Sequence, residues 1–243
     1  MSPAQDPLEG VLLVDKPVGM TSHDVVDHLR RKLHMRRIGH AGTLDPNATG
    51  LLIMLVGKAT KISQFLISLD KSYEGVMRFG QATDTQDAAG KIIEEKPLPD
   101  DLDEARISEA MLSFMGDQYQ VPPMYSAKKI DGVPLYKMAR QGKSVEREPR
   151  FIRISAFDLT GPWDPPEVAF SLSCSKGTYV RTVIHELGQK LECGGHLASL
   201  RRTRIDQFEI GSAHTLEAIE EMSTAELKGA LIPAHKAVPP HVL

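Results

Sequence analysis

The sequence predicts an α+β protein with a mixed or mostly antiparallel sheet flanked by helices, and three observations carry that prediction. Strand-like and helix-like segments are interspersed without the strict βαβα alternation of a parallel sheet. Residues 71–80 and 167–175 alternate between two kinds of side chain, as half-buried strands do. Residues 178–191 instead carry their aliphatic side chains on one helical stripe. No long internal period is visible, which argues against a solenoid or propeller.

The first elements surround a turn-rich segment. Residues 10–17 are predicted to form a short buried strand that ends at a proline. Ser22 is placed to cap a helix over residues 23–35, whose valines and leucines form one apolar face. The segment GHAGTLDPNATG follows at residues 39–50. The continuous apolar run at residues 51–57 then predicts a strand buried on both faces.

The rest of the chain continues the mixture of helices and strands. The predicted elements are a helix over 58–69, a strand over 71–80, an irregular acidic excursion over 84–104, a helix over 105–115, an exposed basic arm over 121–149 with a short helix near 134–141, a strand over 167–175, a helix over 178–191, a strand over 196–208, and a last short helix with a capping box from Ser223 and Glu226.

Composition narrows the class of protein. The 243 residues include 41% hydrophobic and 25% charged residues, which is typical of a soluble globular protein and disfavours disorder or a fibrous repeat. The longest apolar run, Leu51 to Val56, is far shorter than the roughly 20 residues of a membrane span. The N-terminus shows no secretory signal. Cys174 and Cys193 are expected to be thiols in a reducing cytoplasm.

Positive charge is concentrated in three clusters although the net charge is −3. Residues 30–37 carry five Lys or Arg and no acid, residues 128–153 carry eight basic groups against three acids, and residues 201–204 read RRTR. Clusters of this kind can meet on one face that binds a polyanion. The alternative is that each cluster is a solvated surface.

Two segments could carry chemistry, and neither belongs to a common cofactor or metal motif. The sequence contains no phosphate-binding loop, GxGxxG, HExxH, paired CxxC or GxSxG segment, so neither a cofactor nor a metal is predicted. Asp45 precedes a proline in a turn, where it could project a catalytic carboxylate or form an ordinary Asx turn. Arg181, near the start of a helix, could hold a carboxylate bidentately or form a structural ion pair.

The chain resembles the TruB family of tRNA pseudouridine synthases from about residue 10 to about residue 216. The resemblance rests on six motifs in order: GVLLVDKPVGMTSHDVV, GHAGTLDPNATGLL, DKSYEGVMRFGQATDTQDAAG, VPPMYSAKKIDGVPLYKMARQG, SKGTYVRT and GHLASLRRTRIDQF. It implies the pseudouridine synthase fold with an inserted basic arm. It also implies isomerisation of uridine to pseudouridine at position 55 in the T loop of tRNA, without a cofactor.

The resemblance also implies a role for each matching residue. Asp45 would be the nucleophile, Arg181 would pair with its carboxylate, and Tyr73 would stack on the flipped base and could remove the C5 proton.

Five further residues would surround this centre. Tyr179 and Leu200 would line the uracil pocket, and His40 would press into the space that the flipped nucleotide leaves. Lys16 and Pro17 would pack beneath the pocket and support Tyr73.

The arm at residues 121–149, with Lys128 and Lys129, would clasp the T arm of the tRNA. The expected organisation is an N-terminal tail at 1–9, a catalytic domain at 10–215 and a short helical segment at 216–243. Bacterial relatives usually continue into an RNA-binding module called PUA. The resemblance therefore leads us to expect either that the protein lacks this module or that the sequence is cut before it. The expected protein is a cytoplasmic monomer that needs no membrane and no obligate protein partner.

Two other functions remain open from the sequence. The first is a protein that binds or refolds tRNA without catalysis, against which the presence of Asp45, Tyr73 and Arg181 together argues. The second is a guide-RNA-dependent relative that modifies ribosomal RNA within a ribonucleoprotein, against which the short chain argues.

Overall fold

The computed structural model describes residues 8–126, 129–130, 132–139 and 141–242. Its strands, in chain order, are β1 (Gly10–Lys16), β2 (Ile38–Ala41), β3 (Thr49–Val56), β4 (Lys71–Phe79), β5 (Gln81–Thr83), β6 (Ile92–Glu95), β7 (Gly116–Gln120), β8 (Lys129–Ile130), β9 (Val133–Pro134), β10 (Arg150–Leu159), β11 (Glu167–Cys174), β12 (Gly195–Ile205), β13 (Phe208–Glu209) and β14 (His214–Thr215). Its α-helices are α1 (Ser22–Leu33), α2 (Ser63–Ile67), α3 (Glu104–Leu112), α4 (Leu135–Ala139), α5 (Val180–Lys190), α6 (Leu216–Glu221), α7 (Thr224–Ala230) and α8 (Ala234–Ala237).

The chain forms two compact units. Unit 1 comprises the described residues up to Lys71 and from Arg201 onward, and unit 2 comprises Ser72–Leu200. Strand β12 contributes its first half to unit 2 and its second half to unit 1.

Strand β3 is the centre of unit 1. Along one edge it pairs antiparallel with β1, from Lys16 opposite Gly50 to Gly10 opposite Val56. Its other edge pairs antiparallel with β2, and it pairs parallel with β12 at Thr49 and Gly50. Gly50 has a φ of +100°, and a Cβ there would lie 2.3 Å from the Arg202 carbonyl oxygen. This pairing of β3 with β12 therefore requires glycine.

Alternation along β1 and β3 supplies two hydrophobic cores, one on each face of the unit 1 strands. One core contains Leu51, Ile53 and Leu55 of β3 together with Leu66 of α2. The other contains Leu52 and Met54, covered by residues of α1, α6 and α7. The prediction of a strand buried on both faces is confirmed.

Unit 2 contains the strand order β12, β4, β11, β10, β7. Strand β10 pairs antiparallel with both β11 and β7, and α3 packs against β10 and α5. The approach of β12 to β4 is close, since a Cβ at Gly75 would lie 2.5 Å from the Ser199 carbonyl oxygen. With strands that are mostly antiparallel and helices packed on them, the predicted fold class is confirmed.

Several local predictions differ from the structure. The cap of α1 is Thr21, whose side chain accepts from Asp24 N, so the prediction that Ser22 is the cap is wrong. The predicted helix over 58–69 is a 3₁₀ turn, Gly57–Ile62, followed by the short α2. The acidic excursion contains β6, which pairs with β5. The capping box of Ser223 and Glu226 is confirmed.

The segments on either side of the arm form two strands that the sequence analysis did not predict, β7 and β10. They pair with each other directly, with Tyr119 opposite Phe151, and the arm leaves from their paired ends. Within the arm, α4 matches the predicted short helix, and β8 and β9 form a small hairpin.

Candidate active site

Asp45 lies in the loop of residues 42–48 between β2 and β3, which we call the Asp45 loop. Its backbone forms a turn in which Ala48 N donates to the Asp45 carbonyl oxygen at 3.1 Å. Asp45, Pro46 and Asn47 are exposed, whereas Leu44 and Ala48 on either side are buried. The loop therefore has fixed ends and presents its carboxylate at the tip.

The residue after Asp45 is held from the DKPVGMT segment. Gly19 N donates to the Pro46 carbonyl oxygen at 2.9 Å, and Lys16 Nζ donates to the same oxygen at 3.3 Å. Lys16 Nζ also donates to the carbonyl oxygens of Pro17 at 2.9 Å and Met20 at 2.7 Å. Lys16 is completely buried, so these carbonyl groups take the place of its hydration shell.

Burial lowers the pKa of Lys16 from 10.5 to about 8, because it disfavours the charged ammonium group. The charge of Asp45 opposes this shift and the charge of Arg202 adds to it. The pKa of Lys16 thus depends on the charges of both Asp45 and a second buried cation, Arg202.

The second cation, Arg202, stabilises the Asp45 loop through hydrogen bonds to backbone carbonyl groups. Arg202 is 1% exposed; its Nε donates to the Leu51 carbonyl oxygen at 2.7 Å and one terminal nitrogen donates to the Gly42 carbonyl oxygen at 2.8 Å. The guanidinium group therefore connects the first residue of the loop, Gly42, to Leu51 of β3, the strand that follows the loop. Its neighbour Arg201 binds both carboxylate oxygens of Asp15, at 3.0 and 2.6 Å. The interpretation of RRTR as part of a surface that binds a polyanion therefore does not hold for the buried Arg202, whereas it stays a prediction for the partly exposed Arg201.

His40 lies on β2 directly before the loop and is half-buried. Burial lowers the pKa of its imidazole below 6.5, and the charges of Arg202 and His23 lower it further. The neutral form of the ring is therefore favoured. Among the described residues, its buried Nδ1 has no hydrogen-bond partner.

Arg181 occupies the second position of α5 in unit 2 and is 5% exposed. It forms an ion pair with Asp87 at 3.5 Å and donates a hydrogen bond to the Tyr125 carbonyl oxygen. Its guanidinium carbon lies 5.8 Å from the centre of the Tyr179 ring. Arg181 thus forms an ion pair within unit 2, which is one of the two interpretations that the sequence left open.

Asp87 is the residue that the sequence analysis missed. Its Oδ1 accepts from Thr85 Oγ1 at 2.6 Å and from Ala89 N at 3.0 Å, which leaves Oδ2 directed at Arg181. The preceding residue, Gln86, accepts from Thr182 Oγ1 at 2.7 Å and so ties this loop to α5. The motif DTQDAAG could have pointed to Asp87, since it places this acid among turn residues in a segment that the resemblance already covered.

Tyr179 and Tyr73 are both held by the unit 2 strands. Tyr179 exchanges two hydrogen bonds with the Gln120 side chain, at 2.8 and 3.1 Å. Gln120 is itself buried. Tyr73 is 8% exposed on β4, and Leu200 lies on the neighbouring strand β12.

The structure thus places the predicted site residues in two groups. Lys16, Pro17, His40 and Asp45 belong to unit 1, and Tyr73, Tyr179, Arg181 and Leu200 belong to unit 2. Of the arm residues, Lys128 lies outside the described residues, and Lys129 begins β8.

The part of the chain that the structure describes shows neither a cluster of metal ligands nor a membrane-spanning helix. It contains no group of three or more His, Cys, Asp or Glu side chains that could hold a metal ion. Nor do its described helices include one long and apolar enough to cross a bilayer.

Comparison with known proteins decides the family. Residues 30–180 match the model of the TruB family pseudouridylate synthase N-terminal domain, and residues 181–238 match that of the tRNA pseudouridylate synthase B C-terminal domain. The chain belongs to the TruB family. The tRNA pseudouridine synthase B of Opitutus terrae is 61% identical over 96% of this chain and 95% of its own length. The tRNA pseudouridine synthase B of Syntrophotalea carbinolica is 48% identical over 95% of this chain and 75% of its own length.

Solved structures agree with this TruB assignment. A chain of a Cbf5–Nop10–Gar1 complex superimposes with a TM-score of 0.75 at 28% identity, covering 95% of this chain and 62% of that chain. A chain of an H/ACA RNP bound to a substrate RNA containing 2′-deoxyuridine matches with a TM-score of 0.71 at 26% identity. The present chain spans 61% of that longer chain.

Proposed function

We propose that this TruB-family chain isomerises uridine to pseudouridine at position 55 in the T loop of tRNA. The observation that carries the proposal is the Asp45 loop, in which the backbone on both sides of one exposed carboxylate is anchored by buried groups. The relatives named tRNA pseudouridine synthase B support the same substrate.

The reaction breaks the N1–C1′ glycosidic bond, turns the base, and joins C5 to C1′. C5 loses its proton and N1, freed from the ribose, gains one, so that the formula of the nucleotide is unchanged. Asp45 acts as the covalent nucleophile, at C1′ of the ribose or at C6 of the uracil. The base must first be flipped out of the folded loop, at a cost of a few kcal/mol. No electrons are gained or lost overall, so the proposal includes no cofactor.

Four further residues belong to the proposed site. Arg181, held by Asp87, pairs with the Asp45 carboxylate and keeps it ionised. Tyr73 stacks on the flipped uracil and its phenol accepts the C5 proton. Tyr179 and Leu200 line the uracil pocket.

Residues of unit 1 prepare the proposed site for the flipped base. His40, whose neutral form is favoured by burial, fills the space that the nucleotide leaves. Lys16 and Pro17 pack beneath the pocket and support Tyr73.

The pH dependence of the rate tests the role of Lys16. We expect the single-turnover rate to fall as pH rises through about 8, because deprotonation removes the charge beside Asp45 and one of the three N–H donors. The free energy of unfolding should change in the opposite direction. Since the folded state releases this proton at a lower pH than the unfolded chain does, the contribution of Lys16 to stability rises between about 8 and 10.5.

Lys16→Met is the control for this pH profile. The variant should be slower than the wild type and should lack the decrease near pH 8. A wild-type rate that stays constant through this range would contradict the role given to Lys16.

The arm at residues 121–149 is proposed to clasp the T arm, with the protein acting as a cytoplasmic monomer without a protein partner. Reversing the charges at Lys128 and Lys129 to glutamate should weaken tRNA binding and flatten its salt dependence, because fewer counterions are released. Affinity measured over a series of salt concentrations gives both quantities. The same reversal at Lys190 and Lys236, exposed residues outside the three clusters, should change both less. Unchanged affinity and salt slope in the arm variant would exclude the arm from the interface.

The position of the product tests the substrate assignment. The purified chain alone would be incubated with an unmodified tRNA transcript, and pseudouridine would be mapped by carbodiimide adduct formation and primer extension. A single stop that marks position 55 supports the proposal. No stop without added guide RNA would favour the ribonucleoprotein alternative, and tight binding without any stop would favour a pure tRNA-binding protein.

A further inference from the structure

The hydroxyl group of Ser22 forms hydrogen bonds with the backbone of Leu44, the residue that precedes Asp45. Leu44 N donates to Ser22 Oγ at 2.9 Å, and Ser22 Oγ donates to the Leu44 carbonyl oxygen at 3.2 Å. Ser22 is 2% exposed and Leu44 is 3% exposed, so water does not compete for these groups. One side chain therefore satisfies both backbone groups of Leu44.

Helix α1 does not need this hydroxyl group for its own N-terminus. The neighbouring Thr21 forms the complete capping box: Asp24 N donates to Thr21 Oγ1 at 3.0 Å, and Thr21 N donates to Asp24 Oδ2 at 2.8 Å. The two adjacent hydroxyl residues thus make different contacts. Thr21 stabilises the helix, and Ser22 reaches across 22 residues of sequence to the Asp45 loop.

Asp45 consequently lies between two anchored peptide groups. Ser22 fixes Leu44 on one side, and Gly19 N and Lys16 Nζ fix the Pro46 carbonyl group on the other. All three anchoring residues come from one segment, residues 16–22. The backbone on either side of Asp45 is therefore held by this one segment.

We propose that Ser22 is a positioning residue for the reaction, which holds the Leu44–Asp45 peptide so that the carboxylate meets its target atom. This inference rests on the proposed function, in which Asp45 attacks the nucleotide. Ser22 does not touch the substrate in this account and acts only through Leu44. Because misplacement of a reacting group by about 1 Å can cost about 10²-fold in rate, Ser22→Ala should lower the single-turnover rate by about that factor.

Thr21→Ala is the matched control, because it removes the adjacent hydroxyl group and destabilises α1 without touching the Asp45 loop. Both variants are expected to melt at a lower temperature than the wild type. Only Ser22→Ala should lose single-turnover rate, and its affinity for tRNA should be unchanged. Amide hydrogen exchange at Leu44 should become faster in Ser22→Ala and stay as in the wild type in Thr21→Ala.

Several results would overturn the proposal. These are a wild-type rate in Ser22→Ala, an equal loss of rate in both variants, or unchanged exchange at Leu44. Absence of turnover in the wild type would overturn the proposed function itself, and this outcome is distinguishable because it does not involve either variant.

Discussion

Asp45→Asn is expected to abolish pseudouridine formation while leaving tRNA affinity close to that of the wild type. The amide has the shape of the carboxylate but is not a nucleophile, so the rate should fall by roughly 10⁴-fold or more. The side chain is exposed at the tip of its loop, so the substitution should not disturb the folded state. Single-turnover kinetics with excess enzyme, together with a binding titration, separate the two effects.

Asn47→Ala is a suitable control for Asp45→Asn because Asn47 is also exposed in the Asp45 loop. It should retain most of the rate. Retained turnover in Asp45→Asn would remove Asp45 from the mechanism, and a parallel loss of tRNA binding would indicate a role in recognition.

Arg202→Met should be the most destabilising of the substitutions considered. Methionine fills part of the space but leaves the buried carbonyl oxygen of Leu51 and the partly buried one of Gly42 without the guanidinium donors they have in the wild type. We expect the free energy of unfolding to fall by about 3 kcal/mol. Urea denaturation followed by circular dichroism measures this change.

Arg204→Met is the matched control for Arg202→Met, because Arg204 lies on the same strand and is exposed. It should change the unfolding free energy by less than about 0.5 kcal/mol. Equal losses in the two variants would mean that burial of Arg202 between the loop ends does not contribute to stability as described.

Elements with strong periodic patterns could be predicted from the sequence. Strands β4 and β11 and helices α1 and α5 each bury a regular set of apolar residues, and the period of that set identifies the element. Strand β3 was identified by its continuous apolar run instead. Strands β5 and β6 could not be predicted, because they are short and polar and are defined by pairing with each other. Strand β10 has an alternating pattern in FIRIS, but its position beside the basic arm concealed it.

The residues of the candidate site could be predicted from the sequence, but most of the contacts that hold them could not. The six motifs pointed to Asp45, Tyr73 and Arg181, and their catalytic roles stay predictions. The environment of each residue depends on contacts between segments distant in sequence. Ser22 and Thr21 are both preferred capping residues by type, so residue type alone could not say which one caps α1. Likewise, RRTR does not reveal that Arg202 is buried.

Tritium release tests the central claim most directly. Wild-type protein and Asp45→Asn would each be incubated with a tRNA transcript labelled at C5 of its uridines, since pseudouridine has the mass of uridine and loss of the C5 hydrogen is the direct signal. The account predicts release of one equivalent per tRNA by the wild type and none by the variant. Tight binding of the same tRNA by the wild type without release would contradict it.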